Sequence, residues 1–144
     1  MIEPHTVAFD EIEAGMVRQW DYAITRQVYE GFMAAFDDRS PVHVDEGFAR
    51  ARGFEGRVMH GAILNGFVSH FVGMVFPGVQ SLLLSTDLRF SKPSYAEDLL
   101  RLEARVMHKL ESEKVILLDV TFTNLTRSWL AARGRVQVMV GRSV

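Results

Sequence analysis

Hydrophobic positions change texture near residue 77: helix-like spacing dominates the stretch before it, and alternation dominates after it. In the first half, Met16 to Thr25 reads as a strand, and Thr25 is placed to cap a helix over Arg26 to Phe36. Asp45 is the expected N-cap of a short helix, Glu46 to Ala51, which ends at Gly53. A long helix is predicted from Gly61 to Val75. It is apolar on nearly every side, which predicts burial over most of its surface. Its small residues Ala62, Gly66, Ser69 and Gly73 recur at steps that place them on one face. Glycine inside a helix costs about 1 kcal/mol relative to alanine, so close packing along that face is the expected compensation.

In the second half, Gln80 to Phe90, Leu99 to His108, Val115 to Asn124 and Leu130 to Val140 read as strands. Leu118, Val120 and Phe122 share one face, against Asp119, Thr121 and Thr123. Leu130, Ala132, Gly134, Val136, Val138 and Val140 likewise oppose Arg133, Arg135 and Gln137. Successive strands with short connections predict an antiparallel meander. With one apolar helix in front of it, the pattern predicts an α+β domain over residues 1–144, its antiparallel sheet wrapped around the long central helix.

Composition narrows the function. The chain has 144 residues, enough for one domain with a real core. A formal net charge of −2 argues against a nucleic-acid footprint or a polybasic membrane patch. There are no cysteines, which removes disulfides, thiolate catalysis and cysteine-bound zinc. The segment Met1 to His5 has neither the basic stretch nor the apolar run of a signal peptide. The most apolar run, Ala62 to Phe76, is interrupted by Asn65, Ser69 and His70. It falls short of the roughly 20 residues that cross a bilayer. A cytoplasmic protein without membrane insertion is expected.

The stretch Asp38-Arg39-Ser40-Pro41-Val42-His43-Val44-Asp45 carries the candidate chemistry. Pro41 fixes its own φ and drives Ser40 out of the α region, which predicts a bent loop rather than a helix. On such a loop Asp38 and His43 can converge on one small volume. A histidine titrates near neutral pH, and a carboxylate beside it holds its tautomer or acts as a second acid or base. The helix start at Gly61 offers free N–H groups and a positive dipole end to a developing oxyanion. His43-Val44-Asp45 lacks a third ligand at useful spacing, so no metal is expected. His60 is read as a helix-entry residue rather than a catalyst, and Arg57, Arg89 and Lys92, which could meet phosphates of a ligand, are read first as solvated surface charge.

These residues resemble the MaoC-like (R)-specific enoyl-CoA hydratase and dehydratase family, which has the hot-dog fold. The family's motif is Asp-x-Asn-Pro-[Ile/Leu/Val]-His-x-Asp, matched here by residues 38–45 with Ser40 in place of the usual Asn. The similarity continues through Phe48-Ala49, Gly53-Phe54 and His60-Gly61 to Phe90-Ser91-Lys92-Pro93 and Glu97-Asp98, which resemble a Phe-x-x-Pro-x-x-x-Gly-Asp segment. Phe9 to Gly15 is similar to the opening of these domains.

The resemblance implies that Asp38 and His43 are the catalytic pair and that the Gly61 N–H polarises the thioester carbonyl. It implies that Ser69 bonds the catalytic aspartate and that position 40 supports the loop. The substrate carrier would be coenzyme A or the phosphopantetheine of an acyl carrier protein, with no other cofactor. The acyl chain would lie against Phe67, Phe71 or Val72, in a homodimer or higher assembly whose sheets join at their edges. Two other readings stand beside hydration: a hot-dog thioesterase, and a catalytically silent acyl-binding domain.

Overall fold

A computed structural model describes residues 2–141. Met1, where the N-terminal reading begins, and residues 142–144, at the end of the 1–144 domain reading, lie outside the described residues. After a 3-10 turn at Phe9–Glu11, strand β1 runs Val17–Ala23. Helices α1 (Arg26–Phe36), α2 (Pro41–Val44) and α3 (Glu46–Ala51) precede α4 (Ala62–His70). Strands β2 (Ser81–Phe90), β3 (Leu99–Leu110), β4 (Val115–Asn124) and β5 (Trp129–Val140) complete the chain. The sheet order is β1-β3-β4-β5-β2, antiparallel throughout.

The helix boundaries follow their caps. Thr25 Oγ1 accepts the Val28 N–H at 3.1 Å to start α1, and Asp45 Oδ1 accepts the Phe48 N–H at 2.9 Å to start α3. Gly53 follows α3 at φ +89, a left-handed conformation that glycine adopts without strain.

The sheet packs its alternating apolar face against the central helix. Ile116, Leu118, Val120 and Phe122 of β4 are buried with Val136, Val138 and Val140 of β5. Ile63, Leu64, Val68, Phe71, Val72 and Val75 meet them from the helix side in one continuous core. This is the hot-dog arrangement, with the helix lying in the curve of the sheet.

Four expectations are corrected. The stretch after Ser40 is not all loop, because Pro41–Val44 forms a single helical turn with proline at its first position. Proline's fixed φ suits a first turn, where its missing N–H leaves no bond unmade. The predicted bend sits one residue earlier, at Ser40 (φ −49, ψ 133). The central helix is α-helical only to His70 and continues as a π-helical turn, Phe71–Val75.

The small-residue face is not its packed face: Ala62, Gly66 and Ser69 are exposed, and a Cβ at Gly66 would meet nothing within 4 Å. Core packing is done by the large residues on the opposite side. Finally, Leu130 is 41% exposed while Ala131 is buried, because a bulge between the β4 positions Phe122 and Thr123 shifts the β5 register there.

Candidate active site

Asp38 and His43 are carried by the connection from α1 through α2. One ligand atom each from Asp38, His43 and His60 lies within 4.8 Å of the others. The loop reaches this geometry through its own main chain. The Ser40 N–H donates to Asp38 Oδ1 at 3.2 Å, and the His43 N–H donates to the Ser40 carbonyl at 2.8 Å. Ser40 therefore supports the loop with its backbone; its side chain makes no capping bond.

His43 is oriented from behind. Its Nδ1 lies 2.7 Å from the Val58 carbonyl oxygen, and a carbonyl only accepts, so the hydrogen sits on Nδ1. Nε2 of the neutral ring is then left with a free lone pair, the form a general base needs. Tyr29 Oη donates to the His43 carbonyl at 3.0 Å and ties this turn to α1. The Asp38 side chain is half exposed, so its carboxylate is open to a substrate.

Gly61 closes the constellation. The first helical bonds run from Ile63 N–H to the His60 carbonyl and from Leu64 N–H to the Gly61 carbonyl, which leaves the Gly61 and Ala62 amides at the free end of the helix. A Cβ at Gly61 would stand 3.1 Å from the Phe90 ring, so the close approach here favours glycine. His43, Gly61 and Leu64 line a cavity of about 310 Å³ together with Phe90, Lys92 and Pro93. The Phe90–Asp98 connection that forms its wall is anchored below. Asp98, 1% exposed, accepts from the Tyr95 N–H, Asn124 Nδ2 and Arg127 Nε at 2.9, 2.7 and 2.8 Å.

A second, larger space runs along the outer side of the central helix. This groove of about 1210 Å³ is lined by Trp20, Tyr22, Phe32, Phe36, Gly66 and Phe67, among others. Phe67 thus borders a space an acyl chain can enter. Phe71 and Val72 do not: they are 1% and 2% exposed, inside the core. Ser69 is exposed, and among the described residues no hydrogen bond joins it to Asp38. Position 69 lies eight residues beyond Gly61, about 12 Å along a helix axis.

Sequence reasoning missed His60. It is 3% exposed, and its Nε2 lies 2.8 Å from the Asp38 carbonyl oxygen. Its position before Gly61 was the only visible signal. Asp38, His43 and His60 are also the one cluster among the described residues with enough ligand atoms for a metal. His60 Nε2 is engaged with the Asp38 carbonyl and could ligate a cation only by releasing it.

No helix among the described residues is long and apolar enough to cross a membrane. The chain is 28% identical over 104 residues to 3-hydroxybutyryl-CoA dehydratase of Methylorubrum extorquens, covering 72% of this chain and 66% of that protein. It is 31% identical over 87 residues to (R)-specific enoyl-CoA hydratase of Aeromonas caviae, covering 60% and 65%. The match to each thus spans slightly under two thirds of the relative's length. Among solved structures, an R-hydratase of Pseudomonas aeruginosa superposes with a TM-score of 0.86 at 25% identity, over 97% of this chain and 89% of that one. The MaoC like domain profile matches residues 9–127, and with that span, its motif residues and its fold, the chain belongs to the MaoC-like domain family.

Proposed function

We propose that the chain catalyses the (R)-specific hydration of trans-2-enoyl thioesters and the reverse dehydration of (R)-3-hydroxyacyl thioesters. Coenzyme A or an acyl carrier protein carries the acyl group, and no further cofactor takes part. In hydration, the water oxygen bonds to C3 while a proton is delivered to C2, so one water is added overall. Asp38 and His43 handle both proton movements, the first from water and the second to carbon. The Gly61 N–H stabilises the enolate-like charge on the thioester oxygen between these steps. The acyl tail lies along the groove beside Phe67, and the pantetheine enters past Lys92 and Pro93.

One observation carries this reading: the His43 ring is held through Nδ1 by the Val58 carbonyl, leaving Nε2 as a free base on a ring that has a nitrogen within 4.8 Å of an Asp38 carboxylate oxygen. The named relatives act on hydroxyacyl or enoyl thioesters, which fits this base and its neighbouring amides. Crotonyl-CoA tests it. Loss of the conjugated absorbance with an (R)-3-hydroxy product is expected, without release of free thiol. Free thiol would establish the thioesterase instead, and an unchanged substrate that still binds would leave an acyl-binding domain.

A further inference from the structure

We propose that His60 is a positioning residue that sets Asp38 and His43 relative to one another. This rests on the hydratase reading of the site. Two contacts define the role. The first is to Asp38: Nε2 lies 2.8 Å from the main-chain carbonyl oxygen and 3.9 Å from Oδ2 of the same residue. Because the carbonyl can only accept, the hydrogen of neutral His60 is on Nε2. The second is to His43: the two imidazole rings pack against each other at a tilt, centroids 3.9 Å apart and planes 30° apart. His60 thus donates to the residue that carries one catalytic group and packs against the ring of the other. It makes both contacts from a fixed place, because Phe32 packs on its ring at 4.5 Å and Tyr29 lies at 5.9 Å.

The burial of this residue argues against simple packing. His60 Nδ1 is buried without a hydrogen-bond partner among the described residues. An unsatisfied buried polar atom is destabilising, and an apolar ring in this pocket would avoid that penalty. What an apolar ring would lack is the Nε2–H donor. That donor holds the Asp38 carbonyl where the chain turns toward Ser40, a segment without regular secondary structure between Asp37 and α2. The connection carries a catalytic group on a side chain that is half exposed, so packing of its own does not fix it. His60 also precedes Gly61 directly, which couples the positions of the acid–base pair to the amides at the helix start.

The test compares two substitutions. His60→Gln keeps a side-chain N–H donor, and His60→Leu removes it while filling the space. With crotonyl-CoA, His60→Leu is expected to lower kcat about 100-fold with KM within about threefold, the scale expected when reacting groups shift by about 1 Å. His60→Gln is expected to recover at least about tenfold of that loss, even if both variants unfold at the same temperature. A folded His60→Leu protein with kcat near wild type would overturn the proposal. So would equal kcat values for the two variants, since the donor would then be irrelevant.

A second measurement needs no turnover and no variant. Long-range proton–nitrogen NMR correlation on the wild-type protein should show His60 as the Nε2–H tautomer. A His60 ring protonated at Nδ1 alone would overturn the proposal even if His60→Leu failed to fold. If the wild-type protein leaves crotonyl-CoA unchanged, the hydratase reading falls first, while the tautomer still reports on the Asp38 contact.

Discussion

The Nδ1–H of His43 donates to the Val58 carbonyl at 2.7 Å, and that bond decides which ring nitrogen can act as a base. Val58 in turn donates its own N–H to the Val42 carbonyl at 3.0 Å, so the two segments are clamped in both directions. A base held this way needs no reorganisation before it acts, so the barrier is spared what reorganisation would otherwise add. Asp38→Asn and His43→Ala are each expected to lower turnover of an enoyl thioester at least about 100-fold, the lower end of what a positioned acid or base contributes. Steady-state assays on folded protein check this. Near-normal activity in either variant removes that residue from the mechanism.

Much of this site was legible in the chain. Pro41 announced the bend at Ser40, though not the helical turn that follows it, and the bend allowed Asp38 and His43 to come within a few ångströms of each other. The caps Thr25 and Asp45 placed α1 and α3 with their observed boundaries, because an N-cap is a local interaction read from a few residues. His60 escaped because its burial and its contacts, with residues 17 and 22 positions back along the chain, leave no local pattern. The side of the central helix that faces the sheet was also misjudged. An all-round apolar helix carries little amphipathic signal, so its pattern does not distinguish the exposed small-residue face from the packed face that the large residues form.

Exposure of the small-residue face sets the expected behaviour of Gly66. A side chain there projects into the groove rather than into the core. Gly66→Leu is therefore expected to leave the thermal midpoint unchanged or higher, since replacing a mid-helix glycine recovers up to about 1 kcal/mol of helix propensity. The leucine would narrow the space assigned to the acyl tail, so activity on long-chain enoyl thioesters should fall relative to crotonyl-CoA. Calorimetry and a chain-length series check both parts. A midpoint lowered by several degrees would mean that the face is packed in solution, and an unchanged chain-length profile would place the tail elsewhere.

Tyr22 provides a pH signature. It is 7% exposed, stacks on Phe67 with centroids 4.5 Å apart, and its hydroxyl lies 2.9 Å from His70 Nδ1. Burial pushes its pKa well above the ordinary tyrosine value. The folded state therefore favours the neutral phenol. Its contribution is complete below the unfolded pKa of about 10 and is lost as pH rises from there toward the folded value. Stability should fall above about pH 10 with a slope of up to about 1.4 kcal/mol per pH unit from this group. Tyr22→Phe should flatten that alkaline slope, although it should be less stable by about 1 kcal/mol near neutrality through the lost hydrogen bond. Denaturant titrations of both proteins across this range measure the difference. Parallel curves would show that Tyr22 does not titrate differently on folding.

The last expectation concerns assembly. The strand order leaves β1 and β2 at the two edges of the sheet. β1 is seven residues long and presents Arg18 and Asp21, the charged, short form in which edges are protected. β2 is ten residues long, and its Leu82 and Leu84 are 44% and 43% exposed. A long edge with exposed leucines invites pairing with another strand, and a second copy of β2 across a two-fold axis satisfies both edges at once. The far end of β2 is Phe90, whose ring lies against Gly61, so a partner joined there would stand beside the candidate oxyanion site. We therefore expect a homodimer whose two sheets are continuous and whose sites lie near the interface. Light scattering at micromolar concentration should give about twice the chain mass, the commonest closed assembly. Leu82→Lys with Leu84→Lys should shift that mass toward the monomer and reduce activity with it. A wild-type monomer with full activity would remove both the interface and its link to the site.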